Sequence, residues 1–211
     1  TSQSALSSKW LSENQGETLK TVLMQIPDLY LQWLETQRKK IEELSSDLVP
    51  QANKHLERAE VVAKRIRKSI EKISSDKQYE DAFRLANLAI LTQRKWSYPD
   101  ESDLVWRPFQ LGFLLLSLIS TADNTDENRN TADLLWFPTG GGKTEAYLGL
   151  IAFILFLRRI KHGDKGAGVT SIMRYTLRTL TVQQFQRATA LICACEKIRL
   201  GEYKTNDIQH D

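Results

Sequence analysis

The chain has 211 residues, 41% of them hydrophobic, and a net charge of only +3 with a pI near 8.8. That length suits one α/β domain with a helical extension, and the overall charge alone does not mark a nucleic-acid binder. The longest apolar runs, 111–119 and 148–157, fall short of the roughly 20 residues that span a bilayer. No signal peptide is visible, and the two cysteines, Cys193 and Cys195, offer no disulfide framework, so a cytoplasmic setting is expected. The chain starts at Thr1 rather than Met, which reads as a fragment of something longer.

Residues 1–98 read as a helical N-terminal domain. Val22, Ile26, Leu29, Leu31, Trp33 and Leu34, then Ile41 and Leu44, form an apolar face that Pro27 is expected to break. Leu48, Val49 and Pro50 read as a linker. Over 51–73, Leu56, Ala59, Ala63, Ile66, Ile70 and Ile73 recur at helical spacing, with Lys64, Lys68 and Lys72 on the solvated face. A third helix is predicted over 78–95, ended by 97–100. Trp10, Trp33 and Trp96 read as core or interface anchors.

Residues 99–211 carry a different pattern. Pro108 opens a helix to about residue 120, and the polar stretch 121–131 reads as a loop. A strand is predicted at 133–137, a glycine loop at 138–142 and a helix over 143–160. A strand over 169–175 and a helix over 181–200 follow, with Thr181 and Gln184 placed for a capping box. Phe185, Ala188, Ile192 and Cys195 are the expected apolar face of the last helix. This strand–helix–strand–helix order predicts a βαβα unit with a parallel sheet.

The run Phe137-Pro138-Thr139-Gly140-Gly141-Gly142-Lys143-Thr144 carries the chemistry. Glycines let backbone N–H groups close on phosphate oxygens, and the helix that starts there adds its positive end. Lys143 suits the β- and γ-phosphates of ATP, and the Thr144 hydroxyl suits Mg²⁺. The full phosphate-loop pattern asks for glycine where this chain has Phe137. Downstream, 158–199 holds nine Lys/Arg against two acids. Arg174, Arg178 and Arg187, with Thr176, Thr179, Thr181 and Gln183, supply charge and neutral donors for a nucleic-acid backbone at a strand-to-helix turn. The alternative is a solvated basic surface.

Pro138-Thr139-Gly140 ahead of Gly141-Gly142-Lys143-Thr144 resembles motif I of superfamily 2 helicases. Arg107-Pro108-Phe109-Gln110 resembles their adenine-recognition segment, and 173–187 sits where their motif Ia contacts the nucleic-acid backbone. A glutamine amide can donate to and accept from an adenine edge; the less favoured alternative for Gln110 is an ordinary helix-surface glutamine. The strings 106–111, 133–150 and 173–187, together with 27–30 and 82–87, resemble the DrmA-type helicases of DISARM anti-phage systems.

The resemblance implies the first part of a RecA-like ATPase domain over 99–211, in a DNA helicase or translocase of phage defence with a DrmB-like protein partner. It implies an ATP–Mg site built from Arg107, Gln110, Thr139, Gly140, Gly141, Gly142, Lys143, Thr144 and Glu145. Lys143 and Thr144 would be the catalytic pair. The DNA-backbone site would comprise Arg174, Thr176, Arg178, Thr181, Gln183 and Arg187. No acidic Asp-Glu pair follows residue 201, so little ATP hydrolysis is expected of these residues alone. A non-catalytic nucleic-acid-binding or assembly module is the alternative. A small-molecule kinase does not explain the arginines of 174–187.

Overall fold

The computed structural model describes residues 3–101, 103–138, 142–174 and 180–202. Among these residues seven α-helices follow one another: α1 (Ser8–Glu13), α2 (Gly16–Lys40), α3 (Val49–Ser75), α4 (Lys77–Ser97), α5 (Pro108–Ala122), α6 (Lys143–His162) and α7 (Leu180–Arg199). Short 3-10 turns flank α1, α2 and α6.

Helices α2 and α3 form an antiparallel hairpin, and α4 lies at the centre, packed on α1, α3, α6 and α7. Its position follows from composition. Tyr79, Ala82, Phe83, Ala86, Ala89 and Ile90 put small and large apolar groups on more than one side, so α4 is covered nearly all round. Asp76 caps it, its carboxylate accepting from the Gln78 N–H at 3.0 Å. Helix α3 buries Leu56, Ala63, Ile66, Ile70 and Ile73, as their spacing predicts, and turns its lysines outward. There Lys68 meets Asp126 at 2.7 Å and Lys72 meets Asp76 at 2.9 Å.

Helix α2 runs unbroken through Pro27. The expected break does not occur because the proline ring joins the buried stripe of Leu19, Leu23 and Leu34. Packing outweighs one lost backbone hydrogen bond. One apolar cluster reaches from Leu11 to Ile198 and includes Trp106, Leu114, Phe153 and Leu191. No described helix is long and apolar enough to cross a membrane.

The expected parallel α/β fold is not what the chain forms. Every regular element among the described residues is helical, and no strand is present. Among the described residues the one β-type contact is an isolated antiparallel bridge between Ser7 and Val105. Of the segments read as strands, 133–137 and 169–175, the described residues have no ladder partner, and 175 lies outside the described residues. Leu134, Trp136, Val169 and Ile172 are 81–86% exposed. A buried parallel strand needs neighbours on both edges and cover on both faces, and apolar residues alone cannot supply them.

Each segment is instead held near its start by an arginine from a helix. Arg65 of α3 grips both oxygens of Asp133 at 2.7 Å. Arg158 of α6 donates to the Val169 carbonyl at 2.8 Å and to the Thr170 hydroxyl at 2.7 Å.

The face of α7 also differs from expectation. Leu191, Ala194, Cys195 and Ile198 are buried, whereas Phe185 and Ile192 are exposed. The Gln184 side-chain oxygen accepts no hydrogen bond, so the predicted capping box is not formed.

Candidate functional site

The site is built from the N-terminus inward. The Asp103 carboxylate accepts from the Lys9 N–H at 2.9 Å and from the Ser8 hydroxyl at 3.2 Å. Backbone bonds from Ser8 to Leu104 (2.9 Å) and from Trp106 to Leu6 (2.7 Å) lock 103–106 against α1. Trp106 is thereby driven into the core, where its indole N–H donates to Asn87 at 2.9 Å. Gly149 of α6 lies against that indole: a Cβ there would stand 2.8 Å from Trp106 and 2.8 Å from Leu114. The glycine sets how closely α6 approaches α5.

Arg107 occupies the N-cap position of α5, and buried Gln110 follows in its first turn. The Gln110 side-chain oxygen accepts from the Arg107 N–H at 2.8 Å, and its amide nitrogen donates to the Gly142 carbonyl at 2.6 Å. Both ends of the amide are therefore engaged. The segment read as adenine-recognising is tied directly to the last glycine of the loop. Gly142 has φ +85°, and a Cβ there would meet the Gln110 amide nitrogen at 2.8 Å. Backbone conformation and space both require glycine at this position.

Lys143 and Thr144 open α6. The Lys143 ammonium donates to the carbonyl oxygens of Phe137 and of Pro138, the latter at 3.0 Å. The Phe137 ring stacks on Phe109 with centroids 4.0 Å apart, so the start of the loop is pinned to α5 as its end is. Thr139, Gly140 and Gly141 lie outside the described residues.

Glu145, in the first turn of α6, pairs with the Arg187 guanidinium of α7 through one oxygen; its other oxygen is buried and accepts nothing. Arg187 also accepts, at its carbonyl, a 2.6 Å bond from the Gln93 side chain of α4.

Of the residues read as nucleic-acid contacts, Arg174 and Gln183 are exposed. Thr176 and Arg178 fall outside the described residues, as does the side chain of Thr181. Arg187 is drawn toward the glycine loop by Glu145.

A cavity of about 250 Å³ adjoins Arg107, Gln110, Gly142 and Glu145. A second, of about 520 Å³, lies between α4 and α7 and is lined by Gln93, Tyr98, Gln183, Gln186 and Arg187. They share Arg94, Leu104 and Glu145. Arg94 forms a bidentate pair with Glu101 at 2.6 and 2.8 Å and lies over the Tyr98 ring at 3.9 Å. That hydrogen bonding to Glu101 raises the pKa of Arg94 and keeps it charged.

Sequence reasoning missed Arg94, Glu101 and Gln93 as neighbours of the site; their meeting depends on how α4 and α7 pack, and no motif spans them. Among the described residues, no group of three or more His, Cys, Asp or Glu is placed to hold a metal ion.

No protein-family model matches the chain. It is similar to the DISARM protein DrmA of Bacillus paralicheniformis, at 41% identity over 162 residues. The match covers 67% of this chain and 14% of the relative, so the chain corresponds to a small part of that protein's length. The expected resemblance to DrmA-type DISARM proteins is borne out by this identity.

Proposed function

We propose that the chain carries the ATP–Mg-binding loop of a nucleic-acid-dependent ATPase, a helicase or translocase that acts in anti-phage defence. The observation that supports this most is the Gln110–Gly142 hydrogen bond. It joins the upstream Arg107–Gln110 segment to the phosphate loop at the start of α6, the juxtaposition such a nucleotide site needs.

The residues fit the group. Gly142 leaves room for the Gln110 amide and the Glu145 carboxylate beside the start of α6, and the first N–H groups of a helix have no helical partner of their own. Lys143, whose ammonium donates to the Phe137 and Pro138 carbonyls, would neutralise phosphate charge. Thr144, one residue on, would hold Mg²⁺ through its hydroxyl. Bound there, ATP–Mg supplies a phosphoanhydride whose cleavage can drive work. Gln110 would act first by positioning the loop, because reading an adenine edge requires it to release one of its two bonds.

Arg174 and Gln183, with Thr176, Arg178 and Thr181, would track a DNA backbone without reading bases. The similarity to a DISARM protein supports the defence setting, in which a DrmB-like protein would be the partner.

A specific observation favours a second reading, a non-catalytic assembly module: Leu134, Trp136, Val169 and Ile172 present apolar surface to solvent. Binding of a fluorescent ATP analogue with Mg²⁺, measured with and without single-stranded DNA, separates the two. Saturable binding that changes with DNA supports the ATPase. Nucleotide binding that is absent, or indifferent to DNA, favours the module.

A further inference from the structure

Helices α6 and α7 meet through an ion pair whose placement gives it more than a packing role. Glu145 stands two residues after Lys143, and its second carboxylate oxygen lies 3.4 Å from where a Cβ on Gly142 would be, against the last glycine of the loop. That oxygen is buried and accepts no hydrogen bond; Arg187 is the cation that pairs directly with the carboxylate, and Arg94 faces it across the shared cavity. Arg187 is tethered a second time, at its own carbonyl, by Gln93 of α4. The start of α7 therefore has one tether to the helical core and one to the helix that begins at the glycine loop.

We infer that the Glu145–Arg187 pair is the link through which occupancy of the glycine loop fixes the start of α7, and that Arg187 is a positioning residue for nucleic-acid binding rather than a phosphate contact. The inference rests on the nucleotide-binding reading above. Anionic phosphates beside Gly142 raise the cost of leaving the Glu145 carboxylate without its cation. The pair is then held more firmly, and with it the register of α7 against α6. Gln183, one turn ahead of Arg187 on α7, is presented in a fixed place as a result. Linkage makes the effect reciprocal: nucleic acid that prefers the fixed α7 raises nucleotide affinity by the same factor.

The test uses the 211-residue chain, AMP-PNP with Mg²⁺ and a fluorescent oligo-dT. Oligonucleotide affinity is measured with and without nucleotide over a salt series. The wild-type chain is expected to bind oligo-dT at least about fivefold more tightly with nucleotide present, the lower end of typical coupling between sites. Glu145→Gln and Arg187→Gln are each expected to bring that factor to within about twofold of unity, and the double variant no further, since they remove one link. Arg187→Lys should keep part of the coupling, and circular dichroism should show all variants folded.

A phosphate contact behaves differently: Arg187→Gln would weaken nucleotide-free binding and reduce the salt slope by about one. That result overturns the inference, as does coupling that survives both substitutions. A wild-type chain that binds nucleotide without coupling overturns the inference and favours the assembly module, and leaves nucleotide binding by the loop standing. A wild-type chain that binds no nucleotide overturns the reading of the loop and the inference with it.

Discussion

The side-chain amide of Gln110 donates to the carbonyl of Gly142 at 2.6 Å and joins two segments 32 residues apart. The same amide nitrogen lies 2.8 Å from where a Cβ on Gly142 would sit. Gly142→Ala therefore meets two penalties, a clash with Gln110 and a left-handed backbone at φ +85°, which together cost on the order of 2 kcal/mol. The expected outcome is a lower melting temperature and at least tenfold weaker nucleotide binding. Thermal melting and nucleotide titration check it, and an unchanged melt would show that the bond is not holding the loop.

Gly149 makes an independent close approach. An added methyl would stand 2.8 Å from both Trp106 and Leu114, each buried. Gly149→Ala gains helix propensity but overpacks the α5–α6 contact, and the net effect expected is a loss of about 1–3 kcal/mol. Urea unfolding reads this directly; a stabilised variant would mean that the indole can move aside.

Arg65 and Asp133 form a bidentate pair, with Ser120 and Ser117 at 3.4 Å, and both side chains are largely buried. Arg65→Ala leaves the Asp133 carboxylate without its cation and should cost on the order of 3 kcal/mol, whereas Arg65→Met with Asp133→Leu should cost less than either single change. A double-mutant cycle in urea measures the difference. Additive losses would place the pair's effect elsewhere.

Burial pushes the Cys195 thiol up to about 12, while Cys193 is exposed. The thiolate is the reactive form, so near pH 8 an alkylating reagent should modify Cys193 quickly and Cys195 only on unfolding. Counting modified thiols by mass spectrometry with and without urea checks this. Two equally fast thiols in the native chain would contradict the α7 packing.

Much of the helical part was legible in the sequence. The three- and four-residue spacing of Leu56, Ala63, Ile66, Ile70 and Ile73 states which face of α3 is buried, because helix periodicity is local. Pro27 misled because its effect depends on what surrounds the ring, and there the ring is buried.

The strands expected at 133–137 and 169–175 misled for a related reason. Leu134, Trp136, Val169 and Ile172 carry apolar character suited to strands, yet a strand exists only when a neighbour exchanges hydrogen bonds with it, and none does among the described residues. At the site, the motif residues Gly142, Lys143 and Gln110 were visible one by one. The bond between Gln110 and Gly142 and the pull of Glu145 on Arg187 were not, because both are set by how helices pack.

The central claim is that the glycine loop ahead of α6 binds a nucleoside triphosphate. Calorimetric titration of ATP–Mg into the wild-type chain and into Lys143→Ala tests it most directly. The account predicts saturable binding to the wild-type chain that weakens at least about a hundredfold in the variant, roughly 2.7 kcal/mol for one charged phosphate contact. Binding that is equal in the two proteins, or absent from both while the wild-type chain is folded, would contradict it.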